Sequence, residues 1–145
     1  MTNTAKISCT LDTNNPAAKL GFEAWVDDYK FFDLAHVEHK QEVFVEIPDT
    51  VGEHELKFVL KHKSPGYTTI DEHGTIISDA VLTISDIKFD DAELKHVATK
   101  LSTYTHDFNG TGKEVQDKFY GTLGCNGTVS LKFTTPMYLW LLEHL

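Results

Sequence analysis

A chain of 145 residues, 41% hydrophobic and 24% charged with a formal net charge of -9, has the length of one ordinary domain and enough apolar material for a real core. All 13 basic residues are lysines; without the planar arginine fork that grips phosphates and guanine edges, an acidic chain is poorly suited to nucleic acid or to an anionic membrane surface. No apolar run approaches the roughly 20 residues that insert in a bilayer, and the opening MTNTAKISCTL lacks the basic and apolar regions of a signal peptide.

In chain order, period-two alternation dominates. Ile7, Cys9 and Leu11 alternate with Lys6, Ser8 and Thr10. Leu20, Phe22, Ala24 and Val26 alternate with Gly21, Glu23, Trp25 and Asp27. Val43, Val45 and Ile47 follow, then Leu56, Phe58 and Leu60, then the run from Val81 to Phe89. Asp91 to Leu101 is the best helix candidate, with Leu94, Val97, Ala98 and Leu101 on one face. Val129, Leu131 and Phe133 alternate again, and the final run from Met137 to Leu142 is apolar on both faces of a strand. The runs are bounded by turn formers such as Asn14-Asn15-Pro16, Asp27-Asp28 and Ser64-Pro65-Gly66. This spacing predicts an all-β chain: an antiparallel β-sandwich, jelly-roll-like, with a C-terminal strand extension. One domain over residues 1–145 is expected, with 95–145 as an extension packed on it. Two long connections, 62–79 and 106–133, stand out, because structureless loops of such length are uncommon unless functional.

Eight histidines and 22 acidic residues form no catalytic or zinc signature. There is no Cys-x-x-Cys, no His-Glu-x-x-His and no Gly-x-Ser-x-Gly. Cys9 reads as a small buried hydrophobe. Cys125, in Gly124-Cys125-Asn126-Gly127, reads as part of a hairpin turn needing positive φ rather than as a nucleophile. Whether the two cysteines pair is not legible. Asn109-Gly110-Thr111 and Asn126-Gly127-Thr128 match a glycosylation sequon, although Asn-Gly is also common turn chemistry. Acidic residues at strand ends either keep edges solvated or hold calcium through six to eight oxygens; Asp71, Glu72 and Asp79 are the first candidate set because they share one loop. Trp25, Tyr29 and Tyr67 are the candidate ligand-binding aromatics, against the alternative that Trp25 packs beneath a second sheet. Tyr138, Leu139, Trp140, Leu141 and Leu142 form either a central strand or an interface with a partner.

Two resemblances follow from these residues. Over 18–95, LGFEAWVDDYKFFD, VGEHELKFVLKHK and DAVLTISDIKFDDAEL look like the layout of calcium-dependent xylan-binding carbohydrate-binding modules. That resemblance implies sugar hydroxyls bound through a calcium held by loop carboxylates. A second resemblance covers most of the chain and is strongest in its last 42 residues, YTHDFNGTGKEVQDKFYGTLGCNGTVSLKFTTPMYLWLLEHL, which are similar to the ends of small, largely uncharacterised virion-associated proteins of marine cyanobacterial tailed phages. That resemblance implies a protein made in a bacterial cytoplasm and carried in the virion. Its partners would be other virion proteins, further copies of itself or host cell-surface polysaccharide. The combined expectation is a non-enzymatic phage structural or accessory protein that binds glycan. The alternatives are a purely structural virion assembly protein and a polysaccharide hydrolase or lyase.

Overall fold

A computed structural model describes residues 3–110 and 112–145, with the side chains of Pro65, Ile77 and Ser78 outside the description. Thr111, the last residue of the first sequon, therefore lies outside the described residues, as do Met1 and Thr2 of the opening stretch. The strands are β1 (Thr4–Thr13), β2 (Gly21–Val26), β3 (Tyr29–Leu34), β4 (Gln41–Pro48), β5 (Gly52–Lys61), β6 (Thr68–Ile70), β7 (Ile76–Asp79), β8 (Leu82–Phe89) and β9 (Ala92–Glu93). After helix α1 (His96–Leu101) come β10 (Ser102–His106), β11 (Val115–Lys118), β12 (Thr122–Leu123), β13 (Gly127–Thr135) and helix α2 (Met137–His144).

The strands form two packed antiparallel sheets. One runs in the order β12-β8-β1-β4, with β9 also paired to β8; the other is β11-β10-β13-β5-β2-β3. A separate β6–β7 hairpin occupies the first long connection. The alternating apolar positions face one another between the sheets, as a sandwich requires. Ala5, Ile7, Leu11, Val43, Val45, Ile47, Leu82 and Ile84 are buried from one side, and Phe22, Ala24, Val26, Leu56, Phe58, Leu60, Val129 and Leu131 from the other. β13 lies between β10 and β5, in register from Gly127 opposite Leu60 to Thr135 opposite Gly52.

β8 does not alternate throughout. Leu82 and Ile84 point inward, and so do Ile87 and Phe89. The phase changes at a bulge, where the β1–β8 register shifts between Ser8 and Thr10 and Asp86 adopts φ 52°. Gly127 is also differently employed than its sequence context predicts. It is not among the positive-φ glycines; a Cβ there would lie 2.4 Å from the Thr105 carbonyl, so close strand approach is what demands glycine.

The C-terminal run is a helix, not the expected strand. Pro136 follows the last ladder residue, Thr135, across a cis bond and starts α2, because proline cannot donate to the ladder. Met137, Trp140 and Leu141 then fall on one helical face against the core. Trp140 sits 5.1 Å from Phe89 and 6.5 Å from Phe133 between ring centroids. Residues that would load both faces of a strand therefore sort into one buried and one exposed face of a helix. The other helix is shorter than its periodicity suggests. Lys95 at φ 51°, ψ -128° breaks it, so α1 starts at His96, and Leu94 packs in the core from the preceding turn.

The helical placement predicts opposite outcomes for neighbouring substitutions. Trp140→Ala should lower unfolding stability by about 3–5 kcal/mol, whereas Leu142→Ala, on the exposed face, should stay within about 0.5 kcal/mol of wild type, both read from urea denaturation.

Candidate functional site

A cleft of about 600 Å³ opens between the sheets at the end where β2 turns into β3. Val26 and Ile47 form its buried apolar floor, and Tyr29, 63% exposed, forms a wall. Asp27, Asp28, Glu46 and His54 supply its polar lining. The local sequence explains the arrangement. Asp27 takes φ 54°, which aspartate tolerates better than most residues, so the chain reverses in two residues and sets Tyr29 opposite Val26.

Asp27 is held from three directions. Its own N–H donates to the Glu55 carbonyl at 2.8 Å, its Oδ1 accepts the Glu55 N–H at 2.8 Å, and its Oδ2 meets His54 Nδ1 at 2.8 Å. Partial burial pushes the Asp27 carboxyl up, but the His54 and Glu55 hydrogen bonds outweigh it and hold the group below its ordinary value. His54 Nε2 lies 2.9 Å from the Thr135 hydroxyl, which itself donates to the Thr50 carbonyl. The imidazole also stacks on Phe133, with centroids 5.2 Å apart. This relay fixes the hairpin to β5, β13 and the β4–β5 turn. It leaves Asp28 and Glu46 exposed beside Tyr29.

The sequence-predicted residues divide among separate places. Trp25 is half-buried on the outer face of the second sheet. The Lys30 and Lys57 ammoniums lie 5.6 and 5.5 Å from its ring centroid, and its Nε1–H donates to Glu23 at 2.9 Å. Around it, Lys61 pairs with Glu23 at 2.8 Å and with Asp33 at 2.6 Å, and Lys30 pairs with Asp33 at 2.9 Å. Hydrogen bonds from Lys61 and Lys30 hold the Asp33 carboxyl down at about 2. Tyr67 lies at the opposite end of β2, its hydroxyl donating to the Ala17 carbonyl at 3.2 Å.

Asp71, Glu72 and Asp79 do not converge. Asp71 Oδ1 closes the β6–β7 turn by accepting the His73 and Thr75 N–H groups at 2.8 and 2.9 Å. Glu72 is exposed, 3.5 Å from His73. Asp79 Oδ1 receives the Lys63 ammonium and the Thr68 hydroxyl. Among the described residues, no three His, Cys, Asp or Glu side chains come close enough to hold one ion, so these residues as arranged do not fit calcium. In the predicted interface, Trp140 is buried and Leu141 packs against the core, while Tyr138, Leu139 and Leu142 are exposed.

Both cysteines are free thiols, Cys9 in the core from the middle of β1 and Cys125 at the far end before β13. Burial pushes Cys9 up to about 12, with Glu42 adding to it, and burial likewise raises Cys125. The Tyr104 hydroxyl accepts the Cys125 N–H at 2.9 Å and donates to the Cys125 carbonyl. His106 Nε2 meets Asp117 at 2.8 Å. The sequence reading passed over Asp28, Glu46 and His54 as cleft residues. A two-residue Asp-Asp turn directly before an aromatic was the local clue, but Glu46 and His54 arrive from other strands.

No protein-family model and no curated protein matches the chain. Among solved structures it is similar to vCBM60 in its selenomethionine form, described with a circular permutation that links two families of calcium-dependent carbohydrate-binding modules. The identity is 13%, the coverage 88% of this chain and 89% of that one, and the TM-score 0.50. A second structure, vCBM60 in complex with galactobiose, shares 14% identity over 87% of this chain and 96% of that one, with a TM-score of 0.48. This protein has the β-sandwich fold of those calcium-dependent carbohydrate-binding modules.

The Asp27 relay carries a pH signature. Because the folded carboxyl lies below its ordinary 3.8, its contribution is complete above that pH and fades as pH falls through the folded value. The stability difference between wild type and Asp27→Asn, under about 1 kcal/mol for so exposed a pair, should appear in urea titrations at pH 6 and shrink as pH is lowered below 3.8.

Proposed function

We propose that this protein is a non-catalytic glycan-binding module whose ligand lies in the cleft beside Tyr29. The observation that carries the reading is an exposed tyrosine standing over an apolar floor, with carboxylates on the rim of the same concavity. A pyranose has apolar C–H faces and polar edges. Tyr29 would stack on the first, and Asp28 and Glu46 would accept hydrogen bonds from the hydroxyls, which are stronger for an ionised acceptor. The Asp27–His54–Thr135 relay holds the hairpin still, so little ordering entropy is lost on binding. The fold of carbohydrate-binding modules supports this choice of ligand class. Since Asp71, Glu72 and Asp79 do not meet, the sugar contact in this reading is direct.

The setting is a phage particle, with host cell-surface polysaccharide as the target and copies displayed side by side to raise a modest single-site affinity. That setting rests on the likeness of the chain, strongest in its last 42 residues, to cyanophage virion-associated proteins. A second reading has its own observation. Tyr138, Leu139 and Leu142 on the outer face of α2 are 60%, 47% and 75% exposed, as docking to another virion protein or a further copy would use.

Titration calorimetry against a panel of algal, plant and bacterial polysaccharides separates the two. At least one glycan should bind wild type, and Tyr29→Ala should weaken it about tenfold without changing the melting temperature. Equal binding by Tyr29→Ala would remove the cleft from the reading. Silence from every glycan, together with self-association abolished by Leu142→Lys, would favour the structural one.

A further inference from the structure

The loop end of the sandwich is organised around a buried positive charge. The Lys63 side chain is 0% exposed. Lysine is almost never fully buried unless paired, because desolvating an ammonium is costly. Its Nζ donates to Asp79 Oδ1 and to the Gly124 carbonyl. The same Asp79 oxygen accepts the Thr68 hydroxyl at 2.6 Å, and the Asp79 carbonyl accepts the Asn14 amide at 2.7 Å. The Lys63 backbone is clasped both ways by Asn126, at 2.9 Å through its N–H and 3.0 Å through its carbonyl. Asn126 in turn donates its N–H to Asn109 at 2.7 Å. Gly124 approaches so closely that a Cβ would lie 3.2 Å from Asp79 Oδ2. One ammonium thus joins the exit of β5, the β6–β7 hairpin and the segment leading into β13.

A carboxylate and a carbonyl from distant loops, drawn to one positive centre, is the ligand chemistry that a calcium ion would otherwise gather. We propose that Lys63 is the built-in cation of this fold. Its ammonium ties the loop end together where a bound divalent ion would serve, so that folding and ligand binding need no calcium. The inference runs against the calcium dependence of the structural neighbours and does not depend on which glycan binds. The Asp79 carboxylate is neutralised from within, and the other two acidic residues of the hairpin point elsewhere.

The test uses the wild-type protein first. Its melting temperature should agree within about 1 °C in EDTA and in millimolar calcium or magnesium; a calcium-specific rise of several degrees would overturn the proposal. Reductive methylation under native conditions, read by peptide mass spectrometry, should spare Lys63 while exposed lysines such as Lys19 and Lys40 react. Equal reactivity would also overturn it, and this arm holds even where a variant fails to fold. Lys63→Met should lower the melting temperature by several degrees, because it leaves the half-buried Asp79 carboxylate and the Gly124 carbonyl without their cation. Lys63→Met with Asp79→Leu should recover most of that loss. A Lys63→Met protein that melts like wild type would refute the role.

Discussion

The two sheets are joined at one end by the contact of Phe89 with Phe133, ring centroids 4.9 Å apart, and much of the structure depends on it. The contact exists because β8 carries a bulge. With strict alternation from Leu82 and Ile84, Ile87 and Phe89 would face solvent. The phase change at Asp86 returns Phe89 to the interior, where it gives Trp140 a surface to pack on. α2 therefore closes the sandwich on an aromatic platform assembled from both sheets. Phe133 extends that platform to His54, whose other contacts hold Asp27 and shape the cleft. One chain of rings, from Trp140 through Phe89 and Phe133 to His54, thus links the core beneath α2 to the residue that anchors the cleft hairpin.

The two ends of the sandwich solve the same electrostatic problem differently. An acidic chain must keep carboxylates apart or pair them. At the hairpin end, His54 and the Glu55 N–H satisfy the Asp27 carboxylate, leaving Asp28 and Glu46 facing water beside an aromatic, a surface available to a ligand. At the loop end, Asp79 turns inward to a buried lysine and structure takes up its charge. On the outer sheet face, lysines draw Glu23 and Asp33 into a network and cover the Trp25 ring. An acidic residue is thus placed by its partner, not by its position at a strand end.

Strand identity was legible because the inward positions of β1, β2, β4, β5 and β13 repeat every second residue, as a half-buried strand must. The Leu82, Ile84, Ile87, Phe89 spacing also contained the bulge, since a three-residue step between inward residues breaks period two. The final run was ambiguous in kind. An apolar stretch without polar breaks fits a central strand as well as a short packed helix, and Pro136 together with the space between the sheets decides for the helix. The connection at 62–79 concealed a hairpin, because β6 and β7 carry little alternation of their own. Of the candidate aromatics, only Tyr29 lines the cleft. Trp25 and Tyr67 are equally good platforms as residues, yet the folded chain commits one to lysines and the other to a carbonyl.

The sequence by itself determined the class of architecture: apolar periodicity is a local property, and a chain with this one must bury alternate side chains between two layers. It also determined the absence of arginine, which is a matter of composition. Only the tertiary structure decided where charge goes. Asp27 meets His54, and Lys63 meets Asp79 and Gly124, across separations of 27, 16 and 61 residues, and no local pattern encodes such pairings. Ligand chemistry depends on which groups converge and which are already satisfied, and convergence is settled when the sheets close.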